Sequence, residues 1–263
     1  MTKNKGAKDI GQAVREVSLW FPESEEVISR GSPDFRVRGK TFATYVVNHH
    51  GDGRIALWLN APAGAQELYA QAEPKHFFVP PYVGPRGWLG VNLDKGISWK
   101  RVAKLVREAY EKVAPPALSA KLGKTIEIKP PTTTLSAEQF DPMQSKRAQS
   151  VQKTLRRICL ALPETSETKQ FGFPVWQAGK RTFAQAYHYK KKLSLSFWVG
   201  VERQALYTAD ERYEIPAYTG HNGWIALEVT RGMNEAEVRA LALLSYRHFA
   251  LKRMLKELDE DSG

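Results

Sequence analysis

The triplet Gly39-Lys40-Thr41 has the composition of the end of a phosphate-binding loop, whose backbone N–H groups cradle phosphates while its lysine reaches them. That loop needs a glycine where Asp34 stands, and a helix after it. Here the run Phe42-Ala43-Thr44-Tyr45-Val46-Val47 follows, which is β-rich and lacks helical spacing. The triplet is therefore expected at the tip of a β-hairpin. Glu23, Glu25 and Glu26, with Glu164 and Glu167, could pair for acid–base chemistry. They follow the first apolar segment of each half in what reads as a short polar loop, where solvated charge is the expected state. His49 and His50 sit beside Gly51-Asp52-Gly53, a turn composition, and have no repeated partner. No H-x-x-x-H pair, C-x-x-C pair or G-x-S-x-G elbow occurs. The sole cysteine, Cys159, shares an apolar helical face with Leu155, Ile158 and Leu162, which predicts a buried, inert thiol and excludes an internal disulfide. The residues point to no enzyme, no cofactor and no metal.

The charge balance points elsewhere. The chain has 263 residues and a formal net charge of +11, with a pI near 9.6. Such a surfeit favours an acidic partner, most often nucleic acid and less often an anionic membrane. Residues 1–114 carry 17 Lys and Arg against 12 Asp and Glu, and residues 147–263 carry 18 against 13, so neither half neutralises the other. Hydrophobic residues make up 42% and aromatics 11%, enough for packed cores. The first ten residues lack the apolar core of a secretory signal, and no apolar stretch approaches the roughly 18 residues of a transmembrane helix. With one cysteine, these features give the expectation of a cytoplasmic protein without a membrane partner.

The elements that must position the charges come in two sets. "FPESEE" from Phe21 returns as "LPETSE" from Leu162, and Thr41-Phe42-Ala43 returns as Thr182-Phe183-Ala184, both at an offset of 141. "YVGPRGW" from Tyr82 returns as "YTGHNGW" from Tyr218 at an offset of 136. The order is kept and five residues are missing from the second copy, which describes a duplication. Each copy reads as a helix (Ile10, Val14, Val17; Val151, Leu155, Ile158), then strands near 34–38, 41–47 and 54–60, or 174–178, 182–189 and 193–199. A helix follows near 62–73, shortened to 202–209 in the second copy. A hairpin around Gly84–Gly87 or Gly220–Gly223 leads into a strand at Trp88 or Trp224. A last helix starts after Ser98 or Asn234, both good N-caps. The expected fold class is α+β: two tandem units, each an antiparallel sheet with helices packed on one face. Their bounds are 1–114 and 147–263, joined by a Pro- and Thr-containing linker, 115–146, expected to be extended.

The run "FPESEE…GSPDFRVRGKTFAT…HFFVPPYVGPRGWLGVNL…SWKRVAKLVREAYEKVAP" resembles the MmcQ/YjbR-like family over about residues 9–118. The second copy resembles it more loosely, with Pro216-Ala217 in place of Pro80-Pro81. The resemblance implies a compact fold related to frataxin (CyaY-like), with two β-hairpin wings, and a DNA-binding role. Frataxin-like iron binding would need an acidic first helix, whereas Lys8, Arg15, Lys153, Arg156 and Arg157 stand in or beside these ones.

The candidate nucleic-acid contacts are basic residues at hairpins. Arg36, Arg38 and Lys40 alternate with Phe35 and Val37 and are expected on one strand face ending at a tip. Lys180 and Arg181 occupy the same tip in the second copy, and Lys190, Lys191 and Lys192 form the next one. Arg86 lies inside the Gly84–Gly87 segment, which has the spacing of a KH-domain GxxG loop but precedes a strand and reads as a structural turn. Trp88, Trp224, Tyr82 and Tyr218 read as core or hairpin packing, and Trp58 and Trp198 as either packing or stacking surfaces. The leading reading is a non-enzymatic protein that binds nucleic acid, DNA rather than RNA, through phosphate contacts. The alternative is a protein- or small-ligand-binding module with a pocket between sheet and helices.

Overall fold

The computed structural model describes residues 8–260. The chain divides into two compact units at Phe140/Asp141. Unit 1 runs α1 (Ile10–Ser18), β1 (Ser24–Ser29), β2 (Ser32–Val37), β3 (Lys40–Val47), β4 (Ile55–Leu59), α2 (Ala65–Ala72), β5 (Phe77–Phe78), β6 (Leu89–Asn92), α3 (Trp99–Val113), α4 (Pro116–Ser119) and α5 (Ala137–Phe140). Unit 2 runs α6 (Lys146–Cys159), β7 (Thr165–Gln170), β8 (Phe173–Ala178), β9 (Arg181–Tyr189), β10 (Lys192–Trp198), α7 (Gln204–Thr208), β11 (Tyr213–Glu214), β12 (Trp224–Glu228), α8 (Glu235–Phe249) and α9 (Lys252–Glu260). Each unit holds a six-stranded antiparallel sheet, ordered β1-β2-β3-β4-β6-β5 and β7-β8-β9-β10-β12-β11.

Local chemistry starts the helices. Asp9 and Gln12 form a reciprocal capping box on α1, and Ser98, Ser145 and Asn234 accept from backbone N–H groups at the starts of α3, α6 and α8. The apolar stripe of α1 and α3, including Val14, Val17, Val102 and Val106, closes on Phe35, Phe42, Leu57 and Leu89 of the sheet. In unit 2, Val151, Leu155, Val238 and Leu241 close on Trp176, Phe183, Leu195 and Phe197. Cys159 is fully buried there, and burial pushes its thiol pKa up, leaving it inert. The Tyr110 hydroxyl donates to the Pro22 carbonyl at 2.7 Å, and Tyr246 repeats the bond to Pro163 at 2.9 Å. Arg15 pairs with Glu26 and Arg156 with Glu167 in the same duplicated way.

One ion pair has a counterpart in which the helix charge is reversed and the partner comes from a neighbouring position. Arg101 of α3 grips Glu73 and lies over the rings of Tyr69 and Phe77. The matching helical position in unit 2 is Glu237, which accepts from Arg212 and from the hydroxyl of Tyr213.

Three expectations are revised. The polar loops after the first helices are strands β1 and β7. They lie at the sheet edge, half-solvated on both faces, so no apolar alternation betrays them. Their carboxylates, and those beside them, are gripped by arginines: Glu23 by Arg38, Glu26 by Arg15, Glu164 by Arg253 and Glu167 by Arg156. The segment 115–146 is not a free linker. Leu118 is buried in unit 1, Leu122, Ile126, Ile128, Leu135 and Phe140 pack against the same core, and the N–H groups of Thr132 and Thr133 donate to the Lys8 carbonyl. Met143, three residues beyond Phe140, is buried in the core of unit 2.

Candidate nucleic-acid interface

The strands of each unit are joined by turns that hold the basic residues. Arg30-Gly31, Arg38-Gly39 and Phe171-Gly172 take positive φ at both central positions, the type I′ geometry that matches strand twist. Lys190 and Lys191 do the same at φ 48° and 65°, with no glycine to relieve either. At the β8–β9 turn only Gly179 is positive, followed by Lys180.

This turn geometry separates Arg36, Arg38 and Lys40. Val37 pairs with Lys40 and Arg36 with Thr41, next to a bulge at Phe35/Arg36. Cross-strand partners share a face, so Lys40 lies on the face of core residue Val37 and Arg36 on the opposite one. The two-residue turn resets the alternation, and the expectation of three cations on one face fails. Arg36 is half-buried, with a 2.8 Å bond to Asp34, whose other oxygen accepts from Thr44. Arg38 is bound to Glu23, which raises its pKa. Lys192 opens β10 and pairs with Glu228 at 2.9 Å, which raises its pKa likewise. These three charges are engaged at home. Lys40, Arg86, Lys180, Arg181, Lys190 and Lys191 are exposed, and among the described residues no ion pair engages them.

The free cations do not converge on one spot. Lys180 precedes β9 and Lys190 follows it, so the nine residues of β9 hold the two tips roughly 30 Å apart. In unit 1, Lys40 and Arg86 share one end of the sheet, because Leu89 pairs with Leu59 and Leu59 with Ala43. The segment holding Arg86 is a structural turn. Gln66 donates from one amide to the carbonyls of Gly84 and Trp88, and Gln204 repeats this with Gly220 and Trp224. Tyr82 and Tyr218, expected as packing, are instead 63% and 75% exposed.

Trp58 and Trp198 resolve differently. Trp58 is buried under His49, which meets it edge-on at 5.0 Å, while His50 Nε2 lies 3.1 Å from the Tyr82 hydroxyl. Burial lowers the His49 pKa, and the two histidines serve this packing. Trp198 lies outside the core at one end of β10. Its ring is stacked on His248 of α8, with centroids 3.4 Å apart and planes 10° apart. The Trp198 Nε1–H donates to the Asn222 carbonyl at 2.9 Å. Gly223, at φ 88°, permits that approach, since a Cβ there would sit 2.9 Å from Nε1. Phe249 meets Trp198 edge-on and Trp224 obliquely. The signal in the sequence was an aromatic on the polar side of an alternating strand. His248 carried none, because its partner comes from 50 residues away.

Other chemistry is sparse among the described residues. No group of three His, Cys, Asp or Glu side chains is placed to hold a metal, and no helix is long and apolar enough to cross a membrane. One open groove of about 610 Å³ runs between Trp20 and the segment Lys121–Glu127. Another of about 360 Å³ lies between Pro62 and Lys112.

No curated protein matches the chain. Among solved structures, the crystal structure of Deinococcus radiodurans protein DR2400, a DUF419 domain, is similar over 44% of this chain and 88% of that one, at 18% identity and a TM-score of 0.36. The family model YjbR matches twice, at residues 19–112 and 160–248, one match in each unit. The chain belongs to the YjbR family and carries its domain in two tandem copies.

Proposed function

We propose that the chain is a non-enzymatic nucleic-acid-binding protein that holds DNA by its phosphates, chiefly through unit 2. One observation carries the reading: Lys180, Lys190 and Lys191 in turns and Arg181 at the start of β9 are exposed and, among the described residues, without ion pairs, while carboxylates of the same unit are taken up by other basic side chains. Exposed, unneutralised cations on turns suit phosphate contact, which gives affinity with little sequence information. The family resemblance adds DNA as the partner to test first. The single buried thiol of Cys159 suits a cytoplasmic setting. With the tips roughly 30 Å apart, both reach one duplex only if β9 lies along it.

The test is a titration of labelled duplex DNA at several salt concentrations. Wild-type affinity should fall steeply with salt. Each phosphate contact contributes a slope of roughly −0.9 in log K against log[salt], so K180A/R181A and K190A/K191A should each make it shallower by up to about 2. Failure of the wild type to bind at low salt sinks the proposal and favours the protein- or small-ligand-binding alternative. Unchanged slopes in both variants remove these turns from it.

A further inference from the structure

The Trp198–His248 stack sits beside one of the two free basic tips. Trp198 follows Phe197, which pairs with Ala184, so it lies level with Phe183. Arg181 is two residues further along β9, about 7 Å. The Ser245 hydroxyl fixes this row, donating to the Phe183 carbonyl at 2.5 Å and accepting from the Trp198 N–H at 3.0 Å. One helical turn on, His248 is exposed and lies flat against the indole. Partial desolvation and the positive charge of Arg181 lower the imidazole pKa, so near pH 7 its ring is neutral and presents a flat π-face. The indole is already held by its bond to Asn222 and by the close approach of Gly223. A preorganised plate gives up little side-chain freedom on binding.

Unit 1 has no such plate at the matching position. By strand register Asn60 stands where Trp198 does, and at the 136 offset Lys112 stands where His248 does. Both are turned to main-chain carbonyls: Asn60 to Thr41, and Lys112 to Ala61 at 2.7 Å.

We infer that the Trp198–His248 stack is a platform for an unpaired nucleobase, with Lys180 and Arg181 taking the adjoining phosphate, so that unit 2 prefers single-stranded nucleic acid to duplex. The inference rests on the nucleic-acid reading above and adds the form of the ligand. Bases in a duplex are already stacked inside it, whereas those of a single strand can swing onto an aromatic face, and every base has a π-face to offer.

The experiment titrates the full-length protein with labelled oligo-dT and with a duplex of equal length. Wild type should bind oligo-dT more tightly. H248A and W198A should each lose roughly tenfold on oligo-dT and keep their duplex affinity, W198F should retain most of the binding, and K180A/R181A should weaken both ligands. Circular dichroism checks folding. Should W198A unfold, H248A decides alone, because its ring is exposed and outside the core. Undiminished oligo-dT affinity in H248A, equal losses on both ligands, or a wild-type preference for duplex would overturn the platform and leave phosphate binding standing. Absence of binding to either ligand overturns both readings.

Discussion

The β9–β10 turn offers a perturbation in which stability and binding should move in opposite directions. Lys190 and Lys191 sit at φ 48° and 65°, a conformation that costs an L-residue about 1–2 kcal/mol each. Asparagine tolerates it and glycine adopts it freely. In K190N/K191G the turn strain is largely relieved, and the greater freedom of glycine in the unfolded chain returns roughly 0.5–1 kcal/mol of that gain. Lys190 lies over the Tyr189 ring at 5.4 Å, an exposed contact worth about 0.5 kcal/mol, which is lost. The balance is a stabilisation of about 1 kcal/mol, or a few degrees in the Tm of unit 2. The same variant removes two free cations, so duplex affinity should fall and its salt slope become shallower by up to about 2. Calorimetry and fluorescence anisotropy on one preparation read both. The control is K190A/K191A, which removes the charge but leaves L-residues at positive φ. It should lose the same affinity and gain no stability. If the Asn-Gly variant is no more stable than the Ala-Ala variant, the turn is not strained as described. If it is stabilised with affinity intact, the tip does not touch nucleic acid.

Other consequences concern the scaffold. L118A should cost unit 1 about 2–4 kcal/mol, since Leu118 is buried in its core. Ending unit 1 at residue 114 should destabilise it further, whereas cleavage at 140–141 should leave both units folded by circular dichroism. Q66A and Q204A should each cost about 1–3 kcal/mol in urea unfolding, because each amide satisfies two main-chain carbonyls at the Gly84 or Gly220 turn. Hydrogen bonding to Arg101 depresses the Glu73 pKa from 4.5 to about 2. Its contribution is therefore complete above pH 4.5 and lost as pH falls through about 2. E73Q should flatten the acid limb of the Tm profile over that window, modestly, because the pair is partly solvated.

What the sequence made legible was what obeys a period or a local rule. The apolar spacing of Val14 and Val17, or Leu193, Leu195 and Phe197, marked core faces, and Ser98 and Asn234 marked helix starts. What stayed hidden lacked a period. Edge strand β7 is polar on both faces and β1 carries only the adjacent Val27 and Ile28, which do not alternate, so Glu25 and Glu167 read as loop charges. Leu118, Leu122, Ile126 and Leu135 are spaced irregularly among prolines and threonines, and nothing short of the fold shows that they cover unit 1. The cations engaged at home, Arg36, Arg38 and Lys192, went unrecognised for a related reason. Counting cations along the chain cannot tell Lys191, exposed and unpaired, from Lys192, whose partner Glu228 comes from another strand.

The duplication supplies an internal comparison that separates scaffold from function. Interactions found in both units, such as Tyr110 and Tyr246 on their proline carbonyls, Gln66 and Gln204 on their turns, and Arg15 and Arg156 on their edge strands, are what either copy needs to fold. The pair at Arg101 and Glu237 shows how far that need extends. Here the helix charge is reversed and a partner from a neighbouring position answers it, so an ion pair forms at this corner with different residues. Elsewhere the fold makes no such demand: Asn60 and Lys112 close the end of sheet 1 as well as Trp198 and His248 close that of sheet 2. A difference that the scaffold does not require is free to serve a ligand, and this one places an exposed aromatic plate beside two unpaired cations in one copy only. If unit 2 has taken over binding, transplanting Trp and His to positions 60 and 112 should give unit 1 some affinity for oligo-dT through Lys40 and Arg86. The gain should be smaller than the native platform's, because those two cations come from different loops.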